Sequence, residues 1–480
     1  MTELPQIGFG TSGLRGPAEG FQPGIVTSYV GAFLEVACGG AASRDVLIGA
    51  DLRASSPAIS AMVASAVAAH GWTPIHSGNV PTPALASSAL KRRIPAIMVT
   101  GSHIPPAYNG LKFYRPDGEL LKSDEAPIRA AVARQNADTT PQNPGINSLT
   151  TPGSPYTAVR DAYNARYISC FAPTALSGLR VGIFQHSAVG RDVLPEILAQ
   201  LGAGCIPFGR SGDFIAVDTE AVGKEHLDLM RKILEDQGLD AVVSTDGDGD
   251  RPLVLDETGS QINGDVLGAL TARFLGADCV VTPLNSTGAL EKSVWFQEVI
   301  RTRIGSPYVV EAMDTDGLVV GFEANGGFLV GTDFDLPAGR LERLPTRDAV
   351  LPIVAVLAAA AQRGMSLSAL AVELPKRVMK ADRLKEISPE RGGAFVKEMA
   401  RSPAARAALD ARLEHPVSVD TRDGTRLSFA DGSVVHFRQS GNAPELRCYV
   451  ETDASDTTDA LLQAMMRCLM LHFERPGENL

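Results

Sequence analysis

Ser102 stands in Val99-Thr-Gly-Ser-His-Ile-Pro-Pro-Ala-Tyr-Asn-Gly-Leu-Lys112, where an apolar run breaks into a Gly-Ser-His turn and closes on Asn109-Gly110 and a lysine. An apolar strand from Ala96 to Val99 that ends in glycine leaves a serine hydroxyl at a strand end, where ligands of open α/β sheets collect. His103 beside it and Lys112 after it can carry protons. The same residue types also make an ordinary hairpin turn. A second stretch, Thr245-Asp-Gly-Asp-Gly-Asp-Arg251, weighs toward chemistry. Asp246, Asp248 and Asp250 repel one another unless a hard cation sits among them, and oxygen-only ligands suit Mg²⁺ or Ca²⁺. A calcium helix-loop-helix would put Glu257 in the last ligand position, but it needs glycine where Arg251 stands and helices on both sides. The flanks here, Asp240 to Ser244 and Leu253 to Leu255, read as strands. The bland alternative is a solvated acidic turn.

Three further stretches have less specific composition. Gly8-Phe-Gly-Thr-Ser-Gly-Leu-Arg-Gly16 packs glycines around Thr11, Ser12 and Arg15. It could bring backbone amides and a guanidinium to an anion, or serve as a loose lead-in. Phe437-Arg-Gln-Ser-Gly-Asn-Ala-Pro-Glu-Leu-Arg447 sets Arg438, Ser440, Gly441, Asn442 and Arg447 in one loop, a composition suited to gripping a phosphate or to facing water. Gly321-Phe-Glu-Ala-Asn-Gly-Gly-Phe328 offers Glu323 and Asn325 to sugar hydroxyls from a turn of common composition.

The elements that must position these residues follow one rhythm. Val46 to Ala50, Leu179 to Phe184 and Cys279 to Leu284 each lead through a turn into a helix and back to a strand, the returns being Thr73 to His76, Cys205 to Phe208 and Val309 to Glu311. Repeated strand, turn, helix, strand predicts parallel βαβ units covered by helices on both faces. The last part changes character. Val417 to Val419, Arg426 to Phe429 and Val434 to Phe437 are joined by Asp-Gly turns, and a helix over Asp456 to Phe473 closes an α+β domain with an antiparallel sheet. A polar Pro/Asn/Thr stretch from Asn136 to Pro155, the turn Asp256 to Gly259, and the segment between Gly364 and Leu384 divide the chain into domains 1–150, 151–258, 259–374 and 375–480.

With 480 residues, 44% hydrophobic and 21% charged, the chain has ample material for several cores. A net charge of −11 argues against nucleic acid or an anionic membrane as partner, so an anionic ligand needs a local basic site. Six scattered cysteines without a Cys-x-x-Cys pair argue against zinc and for a reducing compartment. No secretory signal or bilayer-length apolar run is visible, which leads us to expect a cytoplasmic protein.

Taken in order, the five stretches resemble the α-D-phosphohexomutase family, and within it the bacterial phosphomannomutase/phosphoglucomutase branch, with phosphomannomutases most alike. The family's serine loop has the form Thr-x-Ser-His-Asn-Pro followed by Asn-Gly-x-Lys. Its metal loop is Asp-Gly-Asp-x-Asp-Arg, its sugar loop Gly-Glu-x-Ser-Gly-His and its phosphate loop Arg-x-Ser-Gly-Thr-x-Pro. The resemblance implies four domains around a central cleft, three of them related α/β units. It implies a phosphoserine at Ser102, with Ser102, Asp246, Asp248 and Asp250 around Mg²⁺. It implies charge stabilisation and proton transfer by Arg15, His103, Lys112 and Arg251, and substrate contacts from Thr11, Ser12, Glu323 and Asn325. Arg438, Ser440, Gly441 and Asn442 would clamp the phosphate that is not reacting.

Four positions depart from the pattern: Ile104 replaces asparagine, Asn325 serine, Gly327 histidine and Asn442 threonine. None removes the nucleophile or a metal ligand; Asn325 and Gly327 bear on which sugar is read. The expected activity interconverts mannose 1-phosphate and mannose 6-phosphate, with hexose 1,6-bisphosphate as intermediate and activator, in a monomer or small homo-oligomer. Phosphoglucomutase or dual activity is the alternative. A metal-dependent sugar phosphatase and a non-catalytic sugar-phosphate binder are more remote. No Gly-x-x-x-x-Gly-Lys loop points to a kinase.

Overall fold

Short β-branched runs such as Val46-Leu-Ile and Ala241-Val-Val are apolar without alternation, which suits strands buried on both faces. In the computed structural model, which describes residues 7–10, 13–138, 157–441 and 444–474, they form parallel strands at the centres of two sheets. Asp45–Ala50 lies parallel to Thr73–Asn79 on one side and Ala96–Val99 on the other, and Ala96–Val99 pairs antiparallel with Tyr108–Arg115. Arg180–Phe184 repeats this between Gly204–Phe208 and Ala241–Thr245, and Ala241–Thr245 pairs antiparallel with Pro252–Leu255. In the third sheet Cys279–Pro283 runs parallel to Val319–Phe322, which turns back antiparallel into Phe328–Val330 and on to Leu344–Asp348.

The repeat has a consequence that the sequence pattern did not reveal. In each sheet the chain leaves the end of a parallel strand, makes a tight excursion and returns antiparallel. Those three excursions carry Ser102, the aspartate trio, and Glu323 with Asn325.

The residues divide into two compact units, one of 1–281 with 305–373 and the other of 282–304 with 374–480. In the first, helix Val350–Arg363 is buried along almost its whole length and ends at Gly364 in the left-handed region, a common helix stop. Helix Ser56–Ala69 buries Ile59, Val63 and Val67 against Val46, Ile48, Ile97 and Val99. In the second unit a five-stranded antiparallel sheet has the order Val378–Lys385, Glu445–Thr452, Val434–Gln439, Thr425–Ser428, Ser418–Asp420. Phe395 and Met399 from helix Pro389–Arg401, and Met465 and Leu469 from helix Ser455–Glu474, share its core with Leu427, Val435 and Phe437.

One expected strand is corrected. Val309 to Glu311 lies inside helix Ser306–Ala312, and the strand before it is Glu298–Thr302. A run as short as Val309-Val-Glu311 does not distinguish the two states, and Ser306-Pro307 is a helix-starting pair. Val309 is fully buried, and its methyl group lies where a Cβ on Gly321 would fall. Among the described residues no helix is long and apolar enough to cross a membrane. Most of the Asn136 to Pro155 stretch lies outside the described residues.

Candidate active site

Ser102 is buried and holds φ at 55°, a left-handed conformation uncommon outside glycine. Its backbone amide donates to Thr100 Oγ1 at 2.8 Å. A buried guanidinium holds the rest of the excursion. Arg53 donates to the carbonyls of Ser102 (2.9 Å), Ile104 (2.6 Å), Pro105 (2.7 Å) and Tyr108 (3.0 Å). Its Nε donates to Asp51 Oδ2 at 3.0 Å, and Asp51 also accepts from Ser56 and Thr100. Phe214 lies under the guanidinium, 4.1 Å from ring centre to Cζ.

The serine hydroxyl donates to Asp246 Oδ2 at 2.6 Å, so the two most informative stretches of the sequence meet across 144 positions. His103 Nδ1 lies 3.2 Å from the same Oγ. The metal loop is closed by its own backbone, since Asp246 Oδ1 accepts from the amides of Asp250 (3.1 Å) and Arg251 (3.2 Å). Strands flank the loop, which excludes the calcium helix-loop-helix. Gly247 has no room for a side chain: a Cβ there would lie 2.7 Å from the Ser102 carbonyl oxygen and 2.9 Å from Phe214.

Cations surround the trio. Lys112 Nζ donates to Asp248 Oδ2 and Asp250 Oδ2, both at 2.6 Å, and Arg347 Nη2 reaches Asp250 Oδ2 at 2.9 Å. Arg251 Nε stands 3.8 Å from Asp250 Oδ1. Thr82, at the start of helix Thr82–Arg92, donates its hydroxyl to the Asp248 carboxylate and its amide to the Asp248 carbonyl. Burial pushes the Asp250 carboxyl up, but Arg347, Lys112 and Arg251 outweigh it and hold the group well below the usual range. Asp246 goes the other way, raised by burial and by its two acidic neighbours. Burial, with help from Arg251 and Arg15, lowers the His103 imidazole to about 3, so it is neutral at neutral pH. Burial, then Arg251 and Arg347, lowers Arg15 to about 10, which still leaves it charged.

One carboxylate oxygen from each of the three aspartates lies within 4.8 Å of the others. Asp248 Oδ1 and Asp250 Oδ1 are buried without a hydrogen-bond partner. Orphaned anionic oxygens of this kind are costly unless something positive meets them. Hard oxygen donors in this number and spacing fit Mg²⁺, with the serine oxygen as a further donor.

Among the other expected residues, Glu323 accepts from Arg347 Nη1 at 3.1 Å, and Asn325 Oδ1 accepts from the Gly327 amide at 2.9 Å, so that oxygen braces its own turn. Arg438, Ser440 and Gly441 belong to the second unit, where Arg438 Nε donates to Asp423 Oδ2 at 2.8 Å and the Ser440 amide donates to the Glu445 carbonyl at 2.9 Å. Thr11, Ser12 and Asn442 lie outside the described residues. Sequence reasoning missed Asp51, Arg53, Thr82 and Arg347. Asp51-Leu-Arg53 directly after an apolar strand was visible, but it read as a turn. Arg347-Asp348 just before the longest apolar run was a charged pair in a buried setting.

A buried serine bonded to a carboxylate trio that could hold a cation, both at corresponding turns of a repeated α/β unit, marks an enzyme class built by internal repetition. Four sequence profiles then match the chain in order: phosphoglucomutase/phosphomannomutase α/β/α domain I over residues 6–138, domain II over 161–259, domain III over 263–378 and the C-terminal domain over 388–468. The chain belongs to the phosphoglucomutase/phosphomannomutase family. It is 40% identical to a phosphomannomutase of Sinorhizobium fredii, covering 95% of this chain and 97% of that protein, and 37% identical to one of Salmonella muenchen, covering 96% and 95%. A phosphoglucosamine mutase of Deinococcus radiodurans is 32% identical over 76% of this chain and 80% of its own. The fold matches a crystal structure of a phosphoglucomutase/phosphomannomutase family protein from Burkholderia thailandensis with a TM-score of 0.76, at 21% identity and 98% coverage of both chains.

Proposed function

We propose that the protein is a phosphomannomutase-type phosphohexomutase that interconverts mannose 1-phosphate and mannose 6-phosphate through phosphorylated Ser102. The bond between Ser102 Oγ and Asp246, in a buried cage of carboxylates and cations, carries this reading. Phosphoserine gives its phosphoryl group to the free hydroxyl of a hexose monophosphate. The Ser Oγ–P bond breaks, a sugar O–P bond forms, and the hydroxyl proton leaves to a base. The resulting hexose 1,6-bisphosphate turns over, and its other phosphate returns to Ser102. Free bisphosphate acts as activator by restoring enzyme that has lost its phosphoryl group.

Asp246, Asp248 and Asp250 would hold Mg²⁺, which when bound supplies positive charge against the transferring phosphoryl group. Lys112, already engaged by two aspartates, suits charge neutralisation. Neutral His103, within reach of Ser102 Oγ, suits holding a proton there. Arg15 and Arg251 add charge at the same place. Glu323 and Asn325 would read sugar hydroxyls, and Arg438, Ser440, Gly441 and Asn442 would grip the phosphate that is not reacting. We place the four domains at 1–150, 151–258, 259–374 and 375–480. A cytoplasmic setting accords with six cysteines that form no disulfide.

The mannose assignment rests on the two phosphomannomutases that match almost the whole chain. Mannose and glucose phosphates differ in the orientation of one hydroxyl, a difference that one hydrogen bond settles. The test is kcat/KM for mannose 1-phosphate, glucose 1-phosphate and glucosamine 1-phosphate with bisphosphate and Mg²⁺ present. Mannose should lead; a larger value for either competitor reassigns the sugar. Release of inorganic phosphate at the rate of turnover would replace the mutase with a phosphatase.

A further inference from the structure

Gly327 stands where the resembled pattern has histidine, and the structure gives a reason. Its backbone does not require glycine, because Gly327 is absent from the positive-φ residues. What forbids a side chain is Arg347. A Cβ on Gly327 would lie 2.8 Å from Arg347 Cδ, 2.9 Å from Cγ and 3.1 Å from Cβ, so the arginine stem fills the room a side chain would take. From there the guanidinium reaches in two directions, Nη2 to Asp250 Oδ2 at 2.9 Å and Nη1 to Glu323 Oε2 at 3.1 Å.

We propose that Arg347, whose stem takes the room a side chain at position 327 would need, is more than a packing residue. It acts as a positioning residue, a permanent cation that holds Glu323 toward the sugar and Asp250 in the metal loop at once. The proposal rests on the mutase reading for the role of Glu323; its packing half stands apart from it.

Three features support the assignment. Arg347 is 4% exposed, so its two contacts are not screened by water. Both neighbours on its strand are anchored: Thr346 donates to Glu119, and Asp348 accepts from Tyr163 and Tyr167. The strand therefore cannot shift to relax the arginine. Finally, Asp250 and Glu323 belong to different excursions of the repeated unit, and Arg347 bonds to both.

The test is a double-variant series on the full chain. Gly327→Ala should lower Tm in the wild-type background and have little effect in Arg347→Ala, where the stem is gone. Additive Tm changes would overturn the packing argument. Arg347→Ala should raise KM for mannose 1-phosphate about tenfold or more, from the lost support of Glu323, and lower kcat as well, from the lost support of Asp250. An unchanged KM would overturn the positioning role. If wild-type enzyme isomerised no hexose phosphate, the mutase reading would fail while the Tm coupling still decided the packing.

Discussion

Ser102 is held in an unfavourable backbone conformation by groups that do not themselves react, which puts the cost of the site on its neighbours. Ser102→Ala should abolish turnover in a bisphosphate-activated assay; near-normal activity in that variant would overturn the phosphoserine assignment. Arg53 is the more structural partner, since its side chain satisfies four carbonyls and one carboxylate in a region closed to water. Removing it leaves Asp51 charged, buried and unpaired, a loss of about 3–5 kcal/mol. Arg53→Met should show this in urea unfolding. Asp51→Asn with Arg53→Met should cost less than Arg53→Met alone, because the stranded charge is then absent.

At the scale of elements, one unit is used three times, and each copy presents different chemistry from the same turn. Ser102, the aspartate trio and Glu323 each sit where a parallel strand ends and an antiparallel one begins. Excursions packed this closely leave no slack. Gly247→Ala would drive a methyl group into the Ser102 carbonyl and Phe214, an overpacking of about 1–3 kcal/mol with a fall in kcat larger than the change in KM. A normal kcat would show that the serine loop tolerates displacement. In the second unit, Arg438→Ala should weaken substrate binding by about 2 kcal/mol, read as a raised KM, if its guanidinium grips phosphate.

For the whole molecule, buried histidines weaken the fold as pH falls. Burial lowers His103 to about 3, and burial lowers His186 and His436 to about 4 each, despite backbone carbonyls that favour their protonated forms. Between these values and the unfolded value of about 6.5, the unfolded chain binds protons that the folded one refuses, so stability falls as pH drops through that window. Each such histidine contributes a slope of about 1.4 kcal/mol per pH unit there. Tm measured from pH 7 to pH 5 should decline steadily. His186→Gln, which keeps a donor for the Thr245 carbonyl, should flatten the decline. An unchanged slope would remove His186 from the account.

The motifs themselves were legible in the chain, because a serine turn and three alternating aspartates are local patterns whose chemistry follows from residue type and spacing. So were most strands and the closing helix, whose apolar runs have the length and turn signals of their kind. The Val309 to Glu311 run was misread because two valines and a glutamate are too short to show a period, and the packing of Val309 against Gly321 comes from elsewhere in the fold. Asp51, Arg53, Thr82 and Arg347 were not legible as site residues. Each acts on a partner at least 49 positions away or through a contact that only packing creates, and a lone arginine or threonine has no local mark of such a partner. The sequence by itself determined which groups could react and that a hard divalent cation would suit the carboxylates. Only the tertiary structure decided that the hydroxyl meets the carboxylate, that the expected site residues fall on three equivalent turns, and that a buried arginine fills the space beside Gly327, because distance between side chains is a property of packed sheets and not of spacing along the chain.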